Sequence, residues 1–231
     1  MTTLNLLSGG AAQGLVGQLQ ARFKAQSGCD INGTFGAVGM MKDKLLAGAP
    51  CDVLILTQAL ITQLTTSGEL LADSARPLGV VKTGVAVKAG EPMPNVNNPD
   101  AFKSALLAAT GIYFPDPVKS TAGIHFMEVL QTLGIATDVE ARLRPFPNGA
   151  TAMREMSQAS EAGLIGCTQM TEILYTPGVQ LVGDLPKVFE LATVYTAAVC
   201  SQAAEPALAA ELISLLISPE AADLRRSGGF E

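Results

Sequence analysis

Thr3-Leu4-Asn5-Leu6-Leu7-Ser8-Gly9-Gly10-Ala11-Ala12 is a short apolar run that breaks on two glycines. The run from Thr3 to Leu7 reads as a buried strand. Beyond the glycines, Leu15, Val16, Leu19 and Phe23 recur at helical spacing, so a helix follows the turn directly. Cys29 to Phe35 has strand character, Gly36-Ala37-Val38-Gly39 opens a helix from Met40 to Ala47, and Gly48-Ala49-Pro50 stops it. Cys51-Asp52-Val53-Leu54-Ile55-Leu56 is a third strand. Strand–helix–strand–helix–strand with short links is the pattern of a parallel sheet with crossover helices. Loops at the carboxyl ends of such strands meet in one crevice, and both glycine-bearing loops fall there.

The rest of the chain continues in the same way. Ala59 to Leu71 reads as a helix, Leu78 to Val87 as a strand, Ala101 to Ala109 as a helix and Gly111 to Phe114 as a strand. Val139 to Phe146 leads to the turn at Asn148-Gly149, and a helix runs from Ala150 to Ala162. Gly163 to Cys167 is a short strand ending at Thr168-Gln169. Val179 to Val182 and Thr193 to Cys200 are further strands, and Glu205 to Ile217 is a helix. Ser218 and Pro219 start the last helix as N-cap and first residue. Two α/β units result: residues 1–82 with 191–231, and residues 83–190.

Composition narrows the function. The 231 residues are 48% hydrophobic and 16% charged, with no Trp and a net charge of −6. A negative chain argues against nucleic acid or an anionic membrane as partner. No apolar run is long enough to span a membrane. The four cysteines, Cys29, Cys51, Cys167 and Cys200, form no CxxC pair, and one histidine leaves no zinc-ligand spacing, so neither a metal nor a cofactor is expected. The start at Met1-Thr2-Thr3 has no basic, apolar leader. That predicts a cytoplasmic chain, or a periplasmic one if a leader upstream has been removed.

The second candidate site lies at Asp116-Pro117-Val118-Lys119-Ser120-Thr121. Asp116-Pro117 turns the chain, and Ser120 or Thr121 is placed to N-cap a helix carrying Ile124, Phe126, Met127, Val129, Leu130 and Leu133. A helix start offers unpaired N–H groups to an anion. Backbone N–H groups at Gly10, Ala11, Val38, Gly39, Ser120 and Thr121 are the candidate donors, and Gly9 and Gly10 admit close approach. Lys119 adds a positive charge. It is either a general base, if desolvation lowers its pKa, or a clamp on a carboxylate. His125, about one turn into the helix, is either a base or a packed core residue. Asn148, Gly149, Thr168 and Gln169 are expected on the opposite wall, and Arg142 and Arg144 on the surface.

These segments resemble type II periplasmic solute-binding proteins of the molybdate-binding branch. The resemblance rests on Gly9-Gly10-Ala11, Phe35 to Gly39, Ala47-Gly48-Ala49-Pro50-Cys51-Asp52-Val53, Asp116-Pro117 with Ala122-Gly123-Ile124, Leu130 to Gly134, and Ser218-Pro219-Glu220-Ala221-Ala222. It spans nearly the whole chain and implies two α/β lobes, each a mostly parallel sheet flanked by helices, with an oxyanion in the cleft between them. The serines of molybdate binders fall on Ala11 and Val38 here, and the cleft tyrosine near Thr168 or Gln169. Losing two hydroxyls starves a bare oxyanion of donors. A larger ligand with carboxylates and carbon fits better. Thr83-Gly84-Val85-Ala86-Val87, Ala101-Phe102-Lys103 and Gly123-Ile124-His125-Phe126 resemble a variant group that includes aconitate isomerase. That resemblance implies proton-transfer isomerisation of a tricarboxylate, with no cofactor. The alternative it leaves is the solute receptor of an importer for molybdate or another small oxyanion or organic acid, working with an ABC permease.

Overall fold

The computed structural model describes residues 2–231, in which nine strands and ten α-helices form. Two compact units are present: the chain up to Val81 with Thr193–Glu231, and Lys82–Ala192.

In the first unit β1 (Thr3–Gly9), α1 (Gln13–Ser27), β2 (Asp30–Gly36), α2 (Val38–Leu46), β3 (Val53–Thr57) and α3 (Gln58–Thr66) follow in order. β1 pairs parallel with both β2 and β3. β4 (Arg76–Lys88) starts in this unit and ends in the second. The chain returns with β9 (Ala192–Val199), α9 (Pro206–Ile217) and α10 (Ala222–Ser227), β9 pairing antiparallel with β3. The core follows the sequence pattern. Leu15, Val16, Leu19 and Phe23 of α1 are buried, as is every residue of β3, and α9 adds Leu212, Ile213 and Leu216. Asp52, itself buried, ties the unit together: its carboxylate accepts from the N–H groups of Asn5 (2.7 Å), Ala204 (2.7 Å) and Glu205 (3.2 Å). It thereby fixes the segment that leads into α9 from the loop before β3.

The second unit holds α4 (Pro99–Ala108), β5 (Gly111–Pro115), α5 (Thr121–Thr132), α6 (Ala136–Val139), β6 (Leu143–Phe146), α7 (Gly149–Gln158), β7 (Leu164–Gln169), α8 (Met170–Tyr175) and β8 (Val179–Asp184). β5 pairs parallel with β6 and β7, while β4 pairs antiparallel with β7 and β8. Strand alternation divides the core by face. Val85, Ile165 and Cys167 pack with Phe126, Val129 and Leu130 of α5. Ala86 and Leu164 pack with Ala152, Met153 and Met156 of α7.

Three local expectations change. The helix foreseen as far as Leu71 stops at Thr66, because Gly68 takes a left-handed φ of 88° and turns the chain. The helix foreseen as far as Ala162 ends at Gln158. α8 and the edge strand β6 form where no separate element was foreseen. Among the described residues no helix is long and apolar enough to cross a membrane.

Candidate functional site

In the first unit Gly9 and Gly36 are register partners, so β1 and β2 end level. A 3₁₀ turn, Gly10–Ala12, and α1 follow β1, and α2 follows β2. None of these starts has a side-chain cap, since the capping positions are Gly9, Ala12 and Ala37. α6, α8, α9 and α10 likewise lack a side-chain cap, whereas three other helices have one. Thr57 caps α3 (3.5 Å to the Leu60 N–H), Asn98 caps α4 (2.9 Å to Ala101) and Asn148 caps α7 (2.8 Å to Thr151). Ala11 and Val38 are buried and present methyl groups. Tyr195 lies close against Gly9, and the next residue, Thr196, has a buried hydroxyl with no hydrogen-bond partner.

In the second unit, β5 delivers the chain to Asp116. Its side chain accepts from the N–H groups of Val118 (2.7 Å) and Lys119 (2.8 Å), and its carbonyl accepts from Ser120 (3.1 Å). This turn aims the chain into α5. Gly123 sits so close to it that a Cβ would overlap the Pro115 and Asp116 carbonyls. Ser120 does occupy the N-cap position, but its hydroxyl makes no capping bond, and the helix begins at Thr121. Lys119 is exposed. His125 is half-buried, and its Nε2 donates to the Phe189 carbonyl at 2.8 Å. Nδ1 lies 3.8 Å from the Glu128 carboxylate. The ring therefore anchors α5 to the 3₁₀ turn Lys187–Phe189.

The start of α7 is different: the polar groups of Asn148, Gly149 and Thr168 have partners within the protein. Asn148 spends its side-chain oxygen on Thr151. Glu172, at 5% exposure, accepts from the Thr168 hydroxyl at 2.6 Å. Its carboxylate also takes the N–H groups of Gly149, Ala150 and Gln169. The acidic group at this helix start is the protein's own. Burial pushes the Glu172 carboxyl above the usual carboxylate range, partly offset by these four donors. Gly149 is required, because a Cβ there would overlap the Thr168 hydroxyl and the Glu172 carboxylate.

Gln169 keeps its candidacy for another reason. It is 2% exposed, and neither its Nε2 nor its Oε1 has a hydrogen-bond partner. Thr83, its register partner on β4, is 1% exposed and has an equally unpartnered hydroxyl, as does Thr171. Thr83, Thr171, Thr196 and Glu172 were missed in the sequence. A threonine inside a β-branched run looks like strand propensity, and only the pairing exposes its role. Arg144 is no simple surface residue: it donates to the Tyr113 hydroxyl (2.7 Å) and pairs with Glu161. Arg142 ties to the carbonyls of Leu107 and Ala109, at 2.7 Å each. Among the described residues no acidic, cysteine or histidine group clusters as a metal site.

Known proteins share this architecture. The family model for bacterial extracellular solute-binding protein matches residues 4–231. Aconitate isomerase of a Pseudomonas species is 28% identical over 242 residues, covering 100% of this chain and 88% of that protein. The molybdate-binding protein ModA of Escherichia coli is 25% identical over 227 residues, covering 95% and 86%. The solved periplasmic molybdate-binding protein of Azotobacter vinelandii superposes with a TM-score of 0.81 at 20% identity, covering 99% of this chain and 98% of that one. The sulfate-binding protein SubI of Mycobacterium tuberculosis gives 0.76 at 17%, covering 100% and 86%. The chain therefore belongs to the bacterial extracellular solute-binding protein family, with the type II periplasmic binding fold of the molybdate-binding branch that includes aconitate isomerase.

Proposed function

We propose that this chain binds a small di- or tricarboxylate and isomerises it by moving a proton between carbons. The observation that carries the reading is that the helices following the carboxyl ends of β1, β2 and β5, namely α1, α2 and α5, all start without a side-chain cap. Such starts attract anionic oxygens through their N–H groups and dipole. The methyl groups of Ala11 and Val38 stand where a bare tetrahedral oxyanion needs hydroxyls, and they suit a ligand with a carbon skeleton. The 28% identity to aconitate isomerase along the whole chain supports carbon-acid chemistry. In this reading Gly10, Ala11, Val38, Gly39, Ser120 and Thr121 bind carboxylate oxygens through N–H groups. The Ser120 hydroxyl, which caps nothing, donates as well. Lys119 clamps a carboxylate from its exposed position, and His125 holds α5 in place.

A receptor role for an importer is the second reading, favoured by the family match and by the binding proteins among the solved relatives. One experiment separates the two. Thermal shifts are measured with cis- and trans-aconitate, citrate, small dicarboxylates, sulfate and molybdate, since a ligand of the native state raises Tm by mass action. Unsaturated acids that raise Tm are then incubated with the protein in D₂O and followed by NMR. Deuterium uptake with appearance of an isomer is the expected result. Binding without exchange supports the receptor, and a shift with molybdate alone overturns the carboxylate reading. Lys119→Ala is expected to weaken carboxylate binding about tenfold or more while leaving the fold intact, as suits one exposed charged contact.

A further inference from the structure

Gln169 ends β7, and Pro115 ends β5. The two strands run parallel with Tyr113 opposite Gly166, so both deliver their last residues at the same end of the sheet. That is the end from which α5 departs. Alternation fixes the face. Ile165 and Cys167 pack with α5, whereas Leu164 packs with α7 and Gly166 lies against Met153 of α7. Thr168 continues the α7 side by reaching Glu172, and Gln169 therefore belongs to the α5 side. Thr83 lies opposite Gln169 in the antiparallel β4–β7 pair, two residues before Val85, which also packs with α5. The uncapped start of α5 and the Gln169–Thr83 pair thus share one end and one face of the sheet.

The unmet groups have a definite chemistry. A glutamine amide holds two donors on Nε2 and an acceptor on Oε1. Both atoms are buried without a partner, and a buried polar group left unpaired is costly. The helix start at the same end and face of the sheet supplies donors only. A ligand bearing only acceptors, such as sulfate or a fully ionised acid without a hydroxyl, answers Nε2 and leaves Oε1 orphaned. A ligand with a hydroxyl next to its anionic oxygens answers both, and the Thr83 hydroxyl can give or accept the remaining bond.

We infer that Gln169 and Thr83 form a specificity element selecting anions that carry a hydroxyl donor, such as hydroxy acids or a monoprotonated tetrahedral oxyanion, over isosteres that offer acceptors alone. The inference rests on the proposed anion-binding role of the α5 start. It narrows that proposal by specifying the hydrogen-bonding pattern of the ligand, and it places unhydroxylated acids such as aconitate on the disfavoured side. The selection works by penalty: the wrong ligand buries the Gln169 carbonyl oxygen unpaired.

The test uses the full chain and matched pairs at pH 7 by calorimetry: malate against succinate, citrate against tricarballylate, and hydrogen phosphate against sulfate. The expected result is a preference of about tenfold or more for the hydroxyl-bearing member. Gln169→Met should reduce that preference to near one, chiefly by weakening the hydroxylated ligand. Thr83→Val should reduce it in part. Equal affinities within each pair in the wild type overturn the inference, as does a preference that survives in a folded Gln169→Met protein. If that variant fails to fold, the wild-type ratios and Thr83→Val decide. Carboxylates that bind without a hydroxyl preference leave the carboxylate reading standing and sink this one. Hydrogen phosphate bound over sulfate, with no carboxylate bound, does the reverse. Binding of none of the six overturns this inference, and the aconitate thermal shifts then decide the carboxylate reading separately.

Discussion

A methyl group added at Gly149 would overlap the Thr168 hydroxyl and the Glu172 carboxylate, and one added at Gly123 would overlap the carbonyls of Pro115 and Asp116. Gly149→Ala and Gly123→Ala should each cost about 3 kcal/mol or more, read as a lower urea midpoint. Backbone carbonyls yield less than side chains, so Gly123 should be the less tolerant. Asp52→Ala removes the shared acceptor of three N–H groups, two of them in the residues just before α9. Its expected cost is also about 3 kcal/mol, with Asp52→Asn between it and the wild type. Single residues were legible in the sequence where the chain itself states their job. Asp52 and Gly123 fall in motifs, and Asn148-Gly149 reads as a turn. Glu172 was not legible, because the groups it binds are assembled by α7 and β7 from separate parts of the chain.

At the level of elements, long apolar runs were read well, because burial of β1, β3 and β5 forces continuous hydrophobic sequence. Short, half-buried elements were not. β6 has four residues and no fully buried one, and α8 has six, too few to show a period. Leu70 and Leu71 continued the helical spacing of α3, yet the left-handed Gly68 sends Leu70 to bridge Cys200 instead. The α7 start carries its own pH signature. Burial raises the folded-state pKa of Glu172 above its ordinary 4.5. A raised carboxyl favours the folded state most below the ordinary value, and that contribution is lost as pH rises through the raised one. The stability of the wild type relative to Glu172→Gln should therefore fall as pH increases from 4.5 upward. Paired urea titrations across that range would show it, and a difference that grows with pH would overturn it.

Across the whole molecule the chain crosses between units twice, once within β4 and once at the start of β9. The second unit is continuous in sequence and has its own buried clusters, whereas the first is closed only by its C-terminal segment. Glu231 exchanges backbone hydrogen bonds with Val80 at 2.8 Å each way, and Phe230 is buried in the first core. A chain ending at residue 191 should keep slow amide exchange in β5 and β7 and lose it in β1 and β3, which hydrogen exchange would resolve. β9 also governs timing on the ribosome. β3 is made early, but the strand that pairs with it is made after the entire second unit. At roughly 5–20 residues per second the wait is on the order of ten seconds. For that interval β3 is an open sheet edge of wholly apolar residues closing on Thr57, the kind of edge that pairs with other nascent chains. The order of translation thus makes the first-born half of this protein the last to be safe.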